Sequence, residues 1–264
     1  LAKGELSVGQ IARQQGVKPC WVRKLRKRFE GVPPAKARLE KCGRPPKPVT
    51  DDERKLVLDA YASMPLGATK MEDLLASQGK HVPHNRIHRV LLDAGKAKPL
   101  GKKVRRAHWV RFERPHSNDL WHSDFSELGN EYILAFIDDA SRFITGYALL
   151  PAATTDNALE LLRASAQEYG APKQLMTDHG AQFCADEEKQ YRFSEAVKTM
   201  GVKHIMARVK HPQSNGKIER WFATIKRLYA HFGSLDLAVE CYNNMPHLSL
   251  GGTPAEAYAA KRIS

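Results

Sequence analysis

The sequence is poor in cysteine. Its four thiols, Cys20, Cys42, Cys184 and Cys241, lie far apart and form no C-x-x-C pair. That spacing suggests neither a zinc site nor a disulfide framework, and it suits a reducing cytoplasm. No apolar run reaches the roughly eighteen residues of a membrane span, so no membrane partner is expected. No basic stretch followed by an apolar one opens the chain, so no secretory signal is read. No internal repeat is evident. The first residue is Leu rather than Met, which suggests a missing start or an unusual start codon.

Acidic residues are scarce in one part of the chain only. Residues 1–117 hold 27 Lys and Arg against 11 Asp and Glu, a net of +16. Residues 118–264 hold 15 against 18, a net of −3. A basic front joined to a slightly acidic rear suggests a polyanion-binding arm on a separate body. Clustering of this kind favours nucleic acid over an ordinary solvated surface. A hydrophobic fraction of 42% is that of a globular protein.

The front reads as helical modules. Ser7 is placed to cap a short helix carrying Ile11 and Ala12, which Gly16 ends. A second helix begins near Pro19, and Val22, Leu25 and Phe29 recur on one face. Trp21, Arg23, Lys24, Lys27 and Arg28 fall mostly on other faces. A helix, a glycine turn and a basic helix make a helix-turn-helix plan over residues 1–30. The first helix is short for such a module, as a truncated one would be.

Residues 31–50 are a linker rich in proline and basic residues. Within it GRPPKP resembles an AT-hook, which would put Arg44 in a minor groove. Plain linker remains the favoured reading. Thr50 and Glu53 form a capping box that opens residues 51–95, a second helix-turn-helix. Its third helix, near 83–93, offers Asn85 and Arg86 to DNA. His81, His84 and His88 fit that face better than a metal site, for no Cys or carboxylate is seen beside them. Residues 96–117 form a basic connector, where Lys102, Lys103, Arg105 and Arg106 would track phosphate.

The rear half changes character. Segments 120–125, 132–137 and 143–150 read as strands, with turns at Gly129–Asn130 and Asp138–Arg142. A helix is expected over 155–169, a strand over 174–177, a helix over 194–200, a strand over 204–207 and a long helix over 215–232. That order is a mixed α/β sheet. The predicted core spans 118–232, followed by a helical segment at 233–264.

Three acids stand out by position. Asp124 lies inside an apolar strand, Asp178 just after a strand, and Glu219 in the first turns of the long helix. Gaps of 54 and 41 residues separate them. Phosphodiester chemistry builds negative charge on the attacking and leaving oxygens. Two Mg²⁺ ions about 3.5–4 Å apart can stabilise both. Mg²⁺ takes hard oxygen ligands and keeps several waters, so a few converging carboxylates suffice. Each acid alone has an ordinary explanation: a surface ion pair for Glu219, a turn cap for Asp178. Asp124 is hardest to explain that way. The long helix carries Ile218, Trp221, Phe222, Ile225, Leu228 and Phe232 as one stripe, and Glu219 at its edge is expected to face the sheet margin.

The surrounding text carries a resemblance. It runs NDLWHSDF, FIDDASRFITGYAL, TDHGAQF, HPQSNGKIERWF and finally YNNMPHLSLGGTPAE. Residues 118–254 resemble the DDE integrase core of retroviral integrases and bacterial insertion-sequence transposases. The resemblance implies an RNase H-like fold preceded by all-α DNA-binding modules. It implies catalytic and metal-ligand roles for Asp124, Asp178 and Glu219, with two Mg²⁺ or Mn²⁺ ions. The implied activity is cleavage of element ends and joining of their 3′-hydroxyls to target DNA. The implied partners are double-stranded DNA and further copies of the chain. Two departures stand out. The gap before Glu219 is longer than usual, which fits a charged loop inserted at Ala185–Arg192. Met245 stands where an Arg is expected.

Other residues are weighed alongside. His211, Asn215 and Lys217 are candidates for contact near the scissile phosphate, against plain loop and cap roles. Asp138 and Asp139 read as turn residues, and Asp119 as too distant to share the site. Two rival functions remain open: a non-catalytic DNA-binding regulator descended from a transposase, and a nuclease that cuts without joining. Retention of all three acids speaks against the first, and paired DNA-binding modules speak against the second.

Overall fold

The computed structural model describes residues 6–33, 47–99, 113–180, 183, 187–207 and 216–262; for 187–191 it describes the backbone alone. The chain divides into two compact units, Leu1–Pro48 and Val49–Ser264.

In the first unit, α1 (Val8–Gln14) and α2 (Pro19–Arg28) pack on each other. Ser7 caps α1 by accepting from the Gln10 N–H, while the Gln10 side chain accepts from the Ser7 N–H. Gly16 has φ +62°, a left-handed conformation that glycine adopts without a Cβ clash. Ala12 and Val22 are buried between the helices.

The second unit opens with α3 (Asp51–Ser63), α4 (Ala68–Ser77) and α5 (His84–Asp93). The expected capping box of Thr50 and Glu53 is present. A five-stranded sheet follows, in the order β3-β2-β1-β4-β5. β1 (Trp121–Leu128), β2 (Glu131–Asp138) and β3 (Ile144–Leu150) form an antiparallel meander. β4 (Gln174–Thr177) and β5 (Lys203–Met206) add to it in parallel. Gly129 (φ +62°) and Asn130 make the two-residue turn between β1 and β2. Alternation along β1 and β2 divides the core. Trp121, Leu134 and Phe136 face one side, with α6 (Thr155–Tyr169) and α7 (Glu187–Thr199). Ile133, Ala135 and Ile137 face the other, with α8 (Gly216–Phe232) and α9 (Leu235–Asn243).

Three findings depart from the sequence reading. The charged stretch expected to be a loop, Ala185–Arg192, is helical from Glu187 onward: α7 begins seven residues before the helix expected at 194. Its apolar positions, Phe193 and Val197, lie only in its second half, so the polar first half carried no periodic signal. Secondly, α3–α5 share one hydrophobic cluster with the sheet: Val57, Leu66, Met71, Leu75, Ile87 and Val90 join Trp221, Ile225, Leu228 and Val239. Contacts extend beyond the cluster. Lys70 Nζ lies 5.9 Å from the centre of the Tyr242 ring, and the Leu248 N–H donates to Asp73. Thirdly, the segment after residue 232 closes onto the start of the core. The Asn243 side chain accepts from the Ile144 N–H (2.9 Å) and donates to the Ile144 carbonyl (3.3 Å), occupying the edge of β3. From α10 (Pro254–Ala260), the Tyr258 hydroxyl donates to Asn118 Oδ1 at 2.8 Å, and Ser117 Oγ donates to the Tyr258 carbonyl. Met245, where an Arg was expected, is buried in the cluster around α8.

Candidate active site

The site is built on the middle of the sheet. β1 and β4 run parallel with His122 opposite Met176. The same register, carried two residues further, sets Asp124 beside Asp178. Asp124 lies on the face of β1 covered by α8, which carries Glu219 in its first turn. Asp124 reports all three acids at once. Burial and the charge of Asp178 push its carboxyl up to about 7, against the Phe125 N–H, and Glu219 adds to the rise.

Local bonds hold two of the acids. Asp124 Oδ1 accepts from the Phe125 N–H at 2.8 Å. Asp178 Oδ1 accepts from the Gly180 N–H at 2.8 Å, so its turn-capping role is real as well. Glu219, expected toward the sheet margin, is exposed. Helix rotation explains this: Ile218, Trp221 and Phe222 take the buried face, leaving Glu219 at the rim. Among the described residues no three His, Cys, Asp or Glu side chains converge closely enough to form a ready-made metal site. The donor set itself fits divalent ions: three hard carboxylates whose mutual repulsion a cation would relieve.

Two residues along the chain from Asp124 and from Glu219, His122 and Lys217 meet Asp139, which the sequence reading assigned to a turn. Asp139 has no exposed surface. Its carboxylate accepts from His122 Nε2 on β1 (2.6 Å), from the Arg114 N–H (2.6 Å) and from the Lys217 ammonium in the first turn of α8. Burial alone would raise its pKa, but His122 and Lys217 outweigh burial and hold it well below the usual carboxylate range. Asp138, also fully buried, serves the turn as expected: it accepts from the Ser141 N–H and hydroxyl and from the Asn118 N–H. A sequence signal for Asp139 existed. An acid directly following a continuous apolar strand needs a partner, an argument close to the one that singled out Asp124.

The candidate DNA contacts divide three ways. Trp21, Arg23, Lys24 and Lys27 on α2 are exposed, as is Asn85 at the start of α5. Two are drawn into protein instead: Arg86 pairs with Glu53, and Lys217 pairs with Asp139. Each partner is an acid from a distant element, 33 and 78 residues away in sequence, that was read as serving only its own element. Arg44, Lys102, Lys103, Arg105, Arg106, His211 and Asn215 lie outside the described residues. His84 bonds Glu72 at 2.9 Å, a carboxylate the sequence reading did not place beside it.

The mixed five-stranded sheet, with helices on both faces and acids at its centre, is similar to the integrase core of known proteins. Residues 114–212 match the family model of the integrase core domain. The chain is 30% identical over 141 residues to the Pol polyprotein of radiation murine leukemia virus (strain Kaplan), a match covering 51% of this chain and 22% of the polyprotein. It is 28% identical over 152 residues to an uncharacterised protein of Caenorhabditis elegans, covering 54% of this chain and 12% of that one. The chain thus spans less than a quarter of the length of either relative. Among solved structures, a chain of the simian T-cell lymphotropic virus intasome in complex with PP2A regulatory subunit B56 gamma shares the fold, with TM-score 0.51 and 17% identity over 79% of this chain and 76% of that chain. Over residues 114–212 the chain is thus similar to an integrase core domain. Among the described residues, no helix is long and apolar enough to cross a membrane.

Proposed function

We propose that this protein is a metal-dependent DNA strand-transfer enzyme, a transposase that cuts element ends and joins their 3′-hydroxyls to target DNA. One observation carries the reading: Asp124, on the central strand, is raised first by burial and then by the charges of Asp178 and Glu219, so three acids far apart in sequence share one field. Two Mg²⁺ or Mn²⁺ ions held by these carboxylates would supply charge stabilisation to the attacking and leaving oxygens. The chain's own part is to fix where those carboxylates stand. The parallel β1–β4 pairing, carried onward, would bring Asp124 and Asp178 together, and the first turn of α8 would bring Glu219 to their rim. The exposed basic face of α2 and the exposed start of α5 are suited to duplex DNA as two helix-turn-helix modules. The Lys- and Arg-rich connector would track phosphate between them and the core. A homo-multimer, acting in the cytoplasm at the nucleoid, would hold two ends together.

The test is Asp178→Asn. Joining of a labelled 3′-end in Mg²⁺ should vanish while gel-shift affinity for the end is kept; joining at wild-type rate sinks the assignment. A second reading, a DNA-binding regulator without catalysis, draws on the exposure of Glu219. Calorimetric titration with Mn²⁺ separates the two, because only the enzyme binds the ion.

A further inference from the structure

We infer that Asp139 is a positioning residue for the acid site, acting through Lys217 and His122. The inference rests on the reading of Asp124, Asp178 and Glu219 as metal ligands.

The geometry is specific. Asp139 follows the last residue of β2 and is wholly buried. Its three partners come from the segment entering the core (Arg114 N–H), from β1 (His122) and from the first turn of α8 (Lys217). Two of them stand two residues from a proposed ligand. On a strand, residues two apart project from the same face, so His122 and Asp124 share the face under α8. Clamping the His122 ring therefore fixes the strand at the point from which Asp124 projects. On a helix, residues two apart point about 200° away from each other. Lys217, drawn inward to Asp139, thereby turns Glu219 to the opposite side of the first turn, the rim where it is found. One carboxylate thus sets the rotation of α8 against β1.

Burial makes the arrangement exacting. His122 is 3% exposed, and the Lys217 side chain is 15% exposed. Asp139 keeps its charge through these partners, with no access to water. The backbone reinforces the clamp: the Asp139 N–H donates to the Leu120 carbonyl at 2.9 Å, and Lys217 Nζ also reaches the Asp139 carbonyl at 3.4 Å. Near a metal site, partners that orient the ligands typically account for about 10–100-fold in ion affinity.

The test uses the full chain and Mn²⁺ as probe, with affinity read by electron paramagnetic resonance and folding read by thermal melting. Asp139→Asn removes the charge that Lys217 pairs with and is open to misfolding. The double variant Asp139→Asn/Lys217→Met removes both charges and serves as the folded comparison. The expected result is that the double variant melts as one species yet binds Mn²⁺ about 10–100-fold more weakly. Lys217→Arg, which keeps the charge at Asp139, should retain affinity near wild type. A folded double variant binding Mn²⁺ within about twofold of wild type overturns the positioning role. Asp124→Asn is the control on the underlying reading. If it binds Mn²⁺ as wild type does, the acids are not ligands and this role falls with them. If it loses Mn²⁺ while the double variant does not, only the positioning role falls.

Discussion

At Asp139 a buried ion pair joins residues from different elements, so losing either partner strands the other. Lys217→Met leaves a buried carboxylate with His122 as its remaining side-chain partner. Breaking such a pair costs about 3–5 kcal/mol, and urea unfolding should show a loss of that order. His204 provides a pH-dependent counterpart. Burial pushes its pKa down to about 4, and its ring bonds Thr177 Oγ1 (2.9 Å) and Ser194 Oγ (2.8 Å). The folded value lies below the unfolded one, about 6.5, so the unfolded chain binds the proton more readily. His204 thus contributes fully above about pH 6.5, and its contribution fades as pH falls toward 4. Melting temperature should drop through that window, and the drop should be shallower in His204→Gln; equal slopes would refute the assignment. At this scale the sequence was legible where a residue breaks its local pattern. Asp124 inside an apolar strand was readable. The partners of Asp139 were not, since 78 residues separate it from Lys217.

Among elements, the strands and helices of the core followed from their periodicity, with α6 and β4 found over the residues expected for them. What periodicity does not show is how closely elements approach. Gly146 on β3 illustrates the point. A Cβ there would lie 2.0 Å from Ser165 Oγ on α6 and 2.9 Å from the Phe136 ring. Gly146→Ala should therefore destabilise by about 1–3 kcal/mol, as overpacking does. Adding Ser165→Ala should recover part of that loss in chemical denaturation, because the closest contact disappears. Asn243 is the other case, a side chain standing in for a missing neighbour strand. Asn243→Ala leaves buried backbone groups of Ile144 unmatched and should cost about 1–3 kcal/mol. Hydrogen exchange at the Ile144 amide, whose bond that side chain accepts, should rise in the same variant. No change in exchange would argue that another group satisfies the edge.

For the second unit as a whole, the sequence suggested a helical module at 51–95 distinct from the core, because basic segments on either side looked like linkers. Burial argues otherwise: Leu66 and Met71 are as buried as the residues under the sheet. Met71→Ala, at a cost of about 2–5 kcal/mol, should shift the fluorescence midpoint of buried Trp121 and Trp221 together with the helical circular dichroism. Two separated midpoints would mark independent folding. This shared core has a consequence for the proposed reaction. A duplex gripped at α5 would be held at a fixed offset from the acids, so the protein would act as a ruler along the element end. Five base pairs inserted between the recognised sequence and the cleavage point, about half a turn of B-DNA, should then abolish cutting while leaving binding intact.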